Sequence, residues 1–510
     1  MAGGARREAI DDWRAAILLT AAFTLVRLTA LFHSPLELYP DEAQYWLWSR
    51  TLDLGYFSKP PMIAWAIWAS THLGGDAEPW VRLPATLFQA GASLVVFAIG
   101  RRLYGPAVGL AAAALYALMP GIQLSALVAA TDAPLFFFLG LTILAYAAMQ
   151  DGARRPWLAA GLGAALGLAF LSKYAAVYFL IGLALHLVVS RTARAAWSPA
   201  TGLAAAGVFA LVVSPNLAWN LGHGLATLKH TAANAAWGGT QLFNPPELGD
   251  FLVSQFAVFG PIPFAVLLIG AGLALVRRRL SEADLLLLCF SLPPLLIVAV
   301  QAFVSRANAN WAGAGYLAGS VLVAAWLIRW RARRWFMAAL AVQALGAAAF
   351  LAFVLSPPLA DRLGVANGFK RAKGWSQATS LVLDRAGREE GLTAIAVNNR
   401  FLYYAMSYYG RDELAGGGLP PLTTWLLADE PMNQAETSAP LTPAEGRRVL
   451  MVAYEGRRRG EMQADFAAAS GLEIVNIRLD RTRRRRLEMF VGEGFDPKPR
   501  DPLTGLPTPR

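Results

Sequence analysis

The sequence predicts a polytopic α-helical membrane protein of about eleven transmembrane helices, in a range of nine to thirteen, with a long first outer loop and a small C-terminal α/β extracytoplasmic domain. Three observations predict it. The chain is 56% hydrophobic and only 15% charged, a balance that a water-soluble globule of 510 residues could not easily hide. Mean hydropathy is +0.42. Basic residues cluster between alternate apolar runs rather than along one face, so the net charge of +11 points to cytoplasmic loops and lipid headgroups and away from nucleic acid.

Apolar runs long enough to span fall at 13–32, 81–100, 107–130, 134–149, 157–171, 175–189, 201–221, 251–276, 285–304, 311–328 and 335–355. The first follows Arg6 and Arg7 and suits a spanning helix better than a cleaved signal. With the N-terminus inside, the dense basic turns Arg101-Arg102, Arg154-Arg155, Arg191/Arg194, Arg277-Arg278-Arg279 and Arg329 to Arg334 all return to the cytoplasm. The loops 34–80, 123–132, 222–250 and 305–310, together with the Lys173 turn, then face outward, and so does everything after Ser356. This divides the chain into a transmembrane domain, 1–355, with the first outer loop at 34–80, and an extracytoplasmic domain, 356–510. The latter carries β-type stretches at 393–397, 449–454, 473–477 and 487–491, a loop at 416–421, and a disordered end. Its basic run Arg481 to Arg486 reads as a solvated or headgroup-facing surface. Cys289 is the one cysteine, so no intrachain disulfide or cysteine-based zinc site is possible.

The first outer loop holds two adjacent carboxylates, Asp41 and Glu42, in a stretch rich in Trp and Tyr. Such aromatics anchor a chain at the membrane interface and also form platforms for sugars. Two short interfacial helices, 41–50 and 60–71, fit the spacing. At a helix start Asp41 either caps free N–H groups or acts in chemistry, and Lys59 lies at the edge of the next apolar segment. Asp132 opens the fourth helix; Lys173-Tyr174 breaks the hairpin of the fifth and sixth, where an ammonium either snorkels or meets an anion. Ser305-Arg306-Ala307-Asn308-Ala309-Asn310-Trp311 offers a guanidinium, two amides and an indole, a clamp for phosphate and sugar hydroxyls or else a capped loop. His223 and His230 are the only pair offering a metal site, at a spacing that matches no helical ligand pair. Together these groups suit an amphipathic substrate, a lipid tail among the helices with a charged, hydroxylated head at the outer interface.

Tyr39-Pro40-Asp41-Glu42-Ala43-Gln44-Tyr45, Tyr56-Phe57-Ser58-Lys59-Pro60-Pro61, Thr131-Asp132 and Leu171-Ser172-Lys173-Tyr174, in that order, resemble the GT-C glycosyltransferases that use polyprenyl-phosphate-linked sugars. The resemblance covers residues 1 to about 330. It implies an outer-face active site in a bacterial inner membrane, an inverting transfer and a polyprenyl phosphate leaving group. Asp41 then resembles the first-loop aspartate, Lys59 and Tyr56 the contact to the lipid phosphate, Asp132 the second acid, and Lys173 the later lysine, with Arg306 as a helper. Glu42 joins the catalytic set, and Tyr45, His230, Asn308, Asn310 and Trp311 the sugar and acceptor set. Ser58 replaces a glutamate associated with a metal in the aminoarabinose-transferase branch, so the resemblance implies no required cofactor and leaves divalent-metal dependence open.

The expected partners are a polyprenyl-phosphate sugar donor, a lipid or glycan acceptor and membrane lipids. The expected reaction decorates lipid A, lipopolysaccharide core or a related envelope glycan. A protein O-mannosyltransferase is the alternative within the class. A lipid-linked-sugar flippase is the alternative outside it, although paired broken helices in two halves, usual for transporters, are not evident in the sequence.

Overall fold

Proline and glycine punctuate the apolar runs and set where each helix begins and turns. The computed structural model describes residues 2–234, 243–277, 280–428 and 431–499. The Arg277-Arg278-Arg279 turn, part of loop 222–250 and the final dozen residues therefore lie wholly or partly outside the described residues. The chain divides into two units, Met1–His33 with Asp53–Ala352, and Ser34–Leu52 with Phe353–Arg510.

The first unit is helical. Among the described residues six helices are long and apolar enough to cross a membrane: Ile10–His33, Glu78–Tyr104, Asp132–Met149, Pro199–Gly222, Glu282–Val304 and Arg333–Leu355. Two further runs are bent pairs, Pro106–Leu118 with Pro120–Leu127 at 63°, and Pro245–Val258 with Pro261–Val276 at 115°. Three others form shorter apolar helices, Pro156–Ser172, Tyr174–Val189 and Gly315–Arg329. By length and composition the described residues thus supply six to eight spans.

Each bend has a local cause and a polar remedy. Pro120 lacks the N–H that would continue the preceding helix. The carbonyl of Ala117 nearby accepts from Gln123 Nε2 at 2.6 Å and from the buried guanidinium of Arg27. At the second bend Gly260 takes φ +101 before Pro261, and the Phe259 carbonyl accepts from Gln343 Nε2 at 2.9 Å. In hydrocarbon an unmet carbonyl costs several kcal/mol, so these buried side chains help to hold the breaks in place.

Packing follows residue size. Gly315–Arg329 is buried around almost its whole circumference, as its largely apolar sequence requires. Pro156–Ser172 and Pro199–Gly222 meet through Gly163, where a Cβ would stand 2.2 Å from the Ala205 carbonyl oxygen. Small residues there replace the hydrophobic drive that lipid removes.

The second unit is an α/β sheet domain. Its strands are β1 (Ala394–Val397), β2 (Leu422–Thr424), β3 (Arg448–Tyr454), β4 (Phe466–Arg478) and β5 (Arg484–Phe495), in the order β2-β1-β3-β5-β4. β1 pairs in parallel with β2 and β3, while β5 runs antiparallel to β3 and β4. Every residue of β1 is buried, as a central parallel strand demands, whereas β4 is a largely exposed edge. β2 begins directly after the expected loop at 416–421 and was hidden by its brevity.

Two readings of the sequence change here. Residues 34–52 separate from the rest of the first outer loop and pack with the tail: Leu38 N–H donates to the Tyr409 hydroxyl at 2.7 Å, and Glu37 accepts from the Trp375 and Ser376 backbone. The helix Pro40–Arg50 lies on Arg400–Tyr409, with Trp46 edge-on to Tyr408 at 4.9 Å. The basic run is also not all surface. It enters β5, so alternate side chains change face, and Arg485 is buried with its guanidinium 3.4 Å from the Trp375 ring centre, donating to the Lys373 carbonyl. Burial lowers the affinity of Arg485 for its proton, and the nearby Tyr454 opposes that effect.

Candidate active site

Lys173 stands at the break between Pro156–Ser172 and the turn Tyr174–Ala176, with extended backbone at φ −165. Its ammonium meets the Asp132 carboxylate at 2.8 Å. Asp132 occupies the first position of its helix, where the free N–H groups and the macrodipole favour negative charge. Its second oxygen accepts from Asn310 Nδ2 at 3.2 Å. Three of the expected residues, from three separate segments, thus form one cluster. Lys173 has an anionic partner rather than a snorkelling path to water, and Asp132 meets both a cation and an amide.

A second assembly grows from Asp53, which sequence reasoning passed over. Its carboxylate accepts from Trp219 Nε1 at 2.7 Å and from the Leu54 N–H at 2.7 Å. Its carbonyl accepts from Trp65 Nε1 at 2.9 Å, and its own N–H donates to the Tyr56 hydroxyl at 3.2 Å. The Leu54 carbonyl accepts from Asn216 Nδ2 at 2.7 Å, and Asn216 Oδ1 accepts from the Tyr174 hydroxyl at 2.7 Å. Asn220 Nδ2 donates to that same hydroxyl at 3.0 Å. Thr227 Oγ1 donates to the Tyr56 carbonyl at 2.7 Å, and Tyr56 N–H closes a turn on the Lys59 carbonyl at 3.1 Å. The turn that carries Lys59 is therefore bonded, through Leu54 and Asn216, to the residue next to Lys173. Gly55 permits this, because a Cβ there would stand 2.5 Å from the Trp219 ring. Burial pushes the Tyr56 phenol up to about 12, and the Asp53 charge acts in the same direction. Tyr56 is consequently a neutral hydrogen-bonding group at physiological pH.

The acidic pair, in the other unit, splits its roles. Glu42 is fully buried, and its carboxylate accepts from the Tyr39 N–H at 2.8 Å, the return half of a capping box. Asp41, one residue earlier, is exposed, and among the described residues its carboxylate accepts no hydrogen bond. Of the two roles open to Asp41, the capping one is filled by Glu42. Tyr45 is buried with its ring 5.4 Å from Trp48.

The remaining expected residues do not all converge. Arg306 is exposed, with no carboxylate partner among the described residues. Asn308 turns the chain by accepting the Trp311 N–H at 3.0 Å, and Trp311 is half-buried against the helical core. Glu247, also missed, anchors this loop by accepting the Ala307 N–H at 3.1 Å. His223 uses Nδ1 on the Trp219 carbonyl at 2.8 Å and stacks on the Trp219 ring at 4.1 Å, while His230 lies edge-on to Phe57 at 5.9 Å. Among the described residues no three His, Cys, Asp or Glu side chains gather as a metal-binding group. A cue to the missed set lay in the amides: Asn216 and Asn220 sit four apart near the end of an apolar run, the spacing that places both on one helix face.

Helices long and apolar enough to cross a membrane, with a carboxylate, an ammonium and an amide gathered at their ends, are the frame of a membrane enzyme. The sequence profile of the dolichyl-phosphate-mannose-protein mannosyltransferase family matches residues 58–219. Lipid A galacturonosyltransferase RgtD of Rhizobium johnstonii is 35% identical over 410 residues, 78% of this chain and 83% of that one. The undecaprenyl phosphate-alpha-4-amino-4-deoxy-L-arabinose arabinosyl transferase of Pseudomonas aeruginosa is 31% identical over 174 residues, 31% of each chain. Among solved structures, ArnT from Cupriavidus metallidurans bound to undecaprenyl phosphate shares the fold, with TM-score 0.63 and 14% identity over 93% of this chain and 97% of that one. Its apo form gives a TM-score of 0.60 at 13% identity over the same shares. The chain belongs to the GT-C superfamily of polyprenyl-phosphate-sugar-dependent glycosyltransferases.

Proposed function

We propose that this glycosyltransferase moves a sugar, with inversion, from a polyprenyl-phosphate donor to lipid A, lipopolysaccharide core or a related envelope glycan at the outer face of a bacterial inner membrane. The observation that carries the reading is the similarity to a lipid A galacturonosyltransferase over 78% of the chain, which makes a galacturonosyl donor the first to try. The clustered Asp132, Lys173 and Asn310 support it chemically, because a departing lipid phosphate needs fixed cations and donors nearby.

In the proposed reaction an acceptor oxygen attacks the anomeric carbon as the bond to the polyprenyl phosphate breaks. Asp41 takes the proton when the acceptor is a hydroxyl. When the acceptor is itself a phosphate, no base is needed, and Asp41 stabilises the oxocarbenium-like sugar. Lys59, with Tyr56 beside it, and Lys173 receive the charge that develops on the leaving phosphate. Asp132 and Asn310 hold Lys173 in place. Glu42, buried as a cap, positions Asp41 rather than touching substrate.

The proposed topology gives each of the six long helices, each bent pair and each of the three shorter helices one crossing, eleven in all. The N-terminus then lies inside, and the second unit outside. The decisive experiment is mass spectrometry of lipid A and core from a deletion strain, where a missing sugar mass supports the reading and an unchanged glycolipid profile sinks it. Loss of glycan from a protein instead would favour the mannosyltransferase alternative suggested by the family profile. Donor crossing liposomes without acceptor modification would favour a flippase.

A further inference from the structure

The tail domain contains a cavity of about 340 Å³ lined by Pro358, Asp361, Arg362, Arg478, Asp480 and Arg481, with Leu479 completing its wall. Its charges are unbalanced. Asp361 is already paired with Lys373 at 2.9 Å. Asp480 accepts from the Thr482 and Arg483 N–H groups, each at 2.8 Å, and pairs with the Arg483 guanidinium at 3.1 Å. Arg362, Arg478 and Arg481 are exposed, and none has a carboxylate partner among the described residues. Arg478 spends only Nε, on the Asp480 carbonyl at 3.1 Å, and among the described residues its two terminal nitrogens make no hydrogen bond.

In the chain, the cavity's first lining residue comes soon after an apolar span. Pro358 follows Leu355, the last residue of an apolar span, by three residues, and Arg362 ends the helix Pro357–Arg362. Immediately after it in the chain Leu363 is 62% exposed and Val365 43% exposed, two apolar side chains that water does not favour. Guanidiniums grip phosphate through paired N–H donors, and cationic residues just beyond a span with apolar neighbours are the physical signature of headgroup contact.

We propose that this cavity binds the phosphate of a lipid headgroup. The chemistry is shared by two sources, the phosphates of a lipid A acceptor and those of bulk anionic phospholipid. Assigning the first rests on the function proposed above. The second does not.

The test uses the full-length protein in detergent micelles, without donor. It is incubated separately with bis-phosphorylated lipid A, phosphatidylglycerol or phosphatidylcholine, and retained lipid is counted by native mass spectrometry. The combined Arg362→Gln, Arg478→Gln and Arg481→Gln variant is expected to retain at least about tenfold less anionic lipid than the wild type, since each cation contributes on the order of 1 kcal/mol at a lipid surface. The matching triple Lys variant keeps the charge and is expected to restore much of that retention. Loss confined to lipid A supports the acceptor as source, and equal loss of phosphatidylglycerol supports bulk lipid. Displacement of either lipid by millimolar inorganic phosphate supports the phosphate as the recognised group. Equal retention by the wild type and both variants overturns the proposal. Because no sugar is transferred in this assay, failure of the catalytic reading would appear separately, as absent turnover with lipid binding intact.

Discussion

Lys173 illustrates how one residue acquires its meaning from neighbours that are far away in sequence. An ammonium at the end of an apolar helix either reaches for water or finds an anion, and Asp132, 2.8 Å away, decides between them. The pair is mostly shielded from solvent, so removing either partner leaves an uncompensated charge. Asp132→Asn and Lys173→Met are each expected to lower turnover by roughly a hundredfold or more, with the double variant far less impaired than the product of the two, because the second substitution removes the stranded charge. Additive losses in a double-mutant cycle would show that the two act separately. Asp41 differs, since its carboxylate makes no hydrogen bond among the described residues and so has no evident structural duty. Asp41→Asn is expected to keep the protein folded and inserted while cutting transfer from a purified donor by about a hundredfold to ten-thousandfold; unchanged turnover would remove it from the mechanism.

At the scale of elements, the loop from Asp53 to Lys59 is held by side chains of the helix Pro199–Gly222, one of which, Asn216, is in turn held by Tyr174. Gly55→Ala would drive a methyl into Trp219 and is expected to cost about 1–3 kcal/mol, read as a lower melting temperature together with a fall in turnover. Asp53→Asn, which keeps shape but weakens the bond to the Trp219 indole, should cost less, and a larger loss than Gly55→Ala would contradict this ordering. In the tail, the turn joining β4 to β5 depends on Asp480. Burial alone would raise its pKa, but the Thr482 and Arg483 backbone and side-chain bonds outweigh that and hold it at about 2. A depressed carboxylate pKa adds stability above the unfolded value near 4, and that contribution disappears as pH falls through about 2. Asp480→Asn should therefore destabilise the hairpin at neutral pH by about 1–2 kcal/mol and lose that deficit in acid, as followed by amide exchange of β4 and β5. A deficit that persists unchanged at pH 2 would assign the role to geometry alone.

For the whole molecule, orientation is the property most open to a direct check. A reporter fused after the C-terminus should be active only on the outer side, and cytoplasmic activity would overturn the eleven-crossing proposal. Helix positions were legible because apolar runs must match a bilayer and because Pro and Gly mark their ends. Bent pairs were less legible, since a run such as 251–276 reads as one stretch although Gly260 and Pro261 turn it by 115°. The order Asp41, Lys59, Asp132, Lys173 could be read as a set because few charged residues survive near lipid without a task. Asp53, Asn216, Asn220, Trp219 and Glu247 could not, because their work is to hold backbone and side-chain groups that only folding brings within reach.

The sequence by itself determined that this protein is a multi-span membrane enzyme of the GT-C kind, since hydropathy, charge placement and short motifs are local properties of the chain. Tertiary structure alone decided that Lys173 belongs to Asp132, that Glu42 and not Asp41 closes its helix, that residues 34–52 pack with the tail, and that Arg485 lies buried on Trp375. The physical reason is the same in each case. The cost of burying a charge or a polar group depends on the partner that meets it, and that partner lies elsewhere in the sequence.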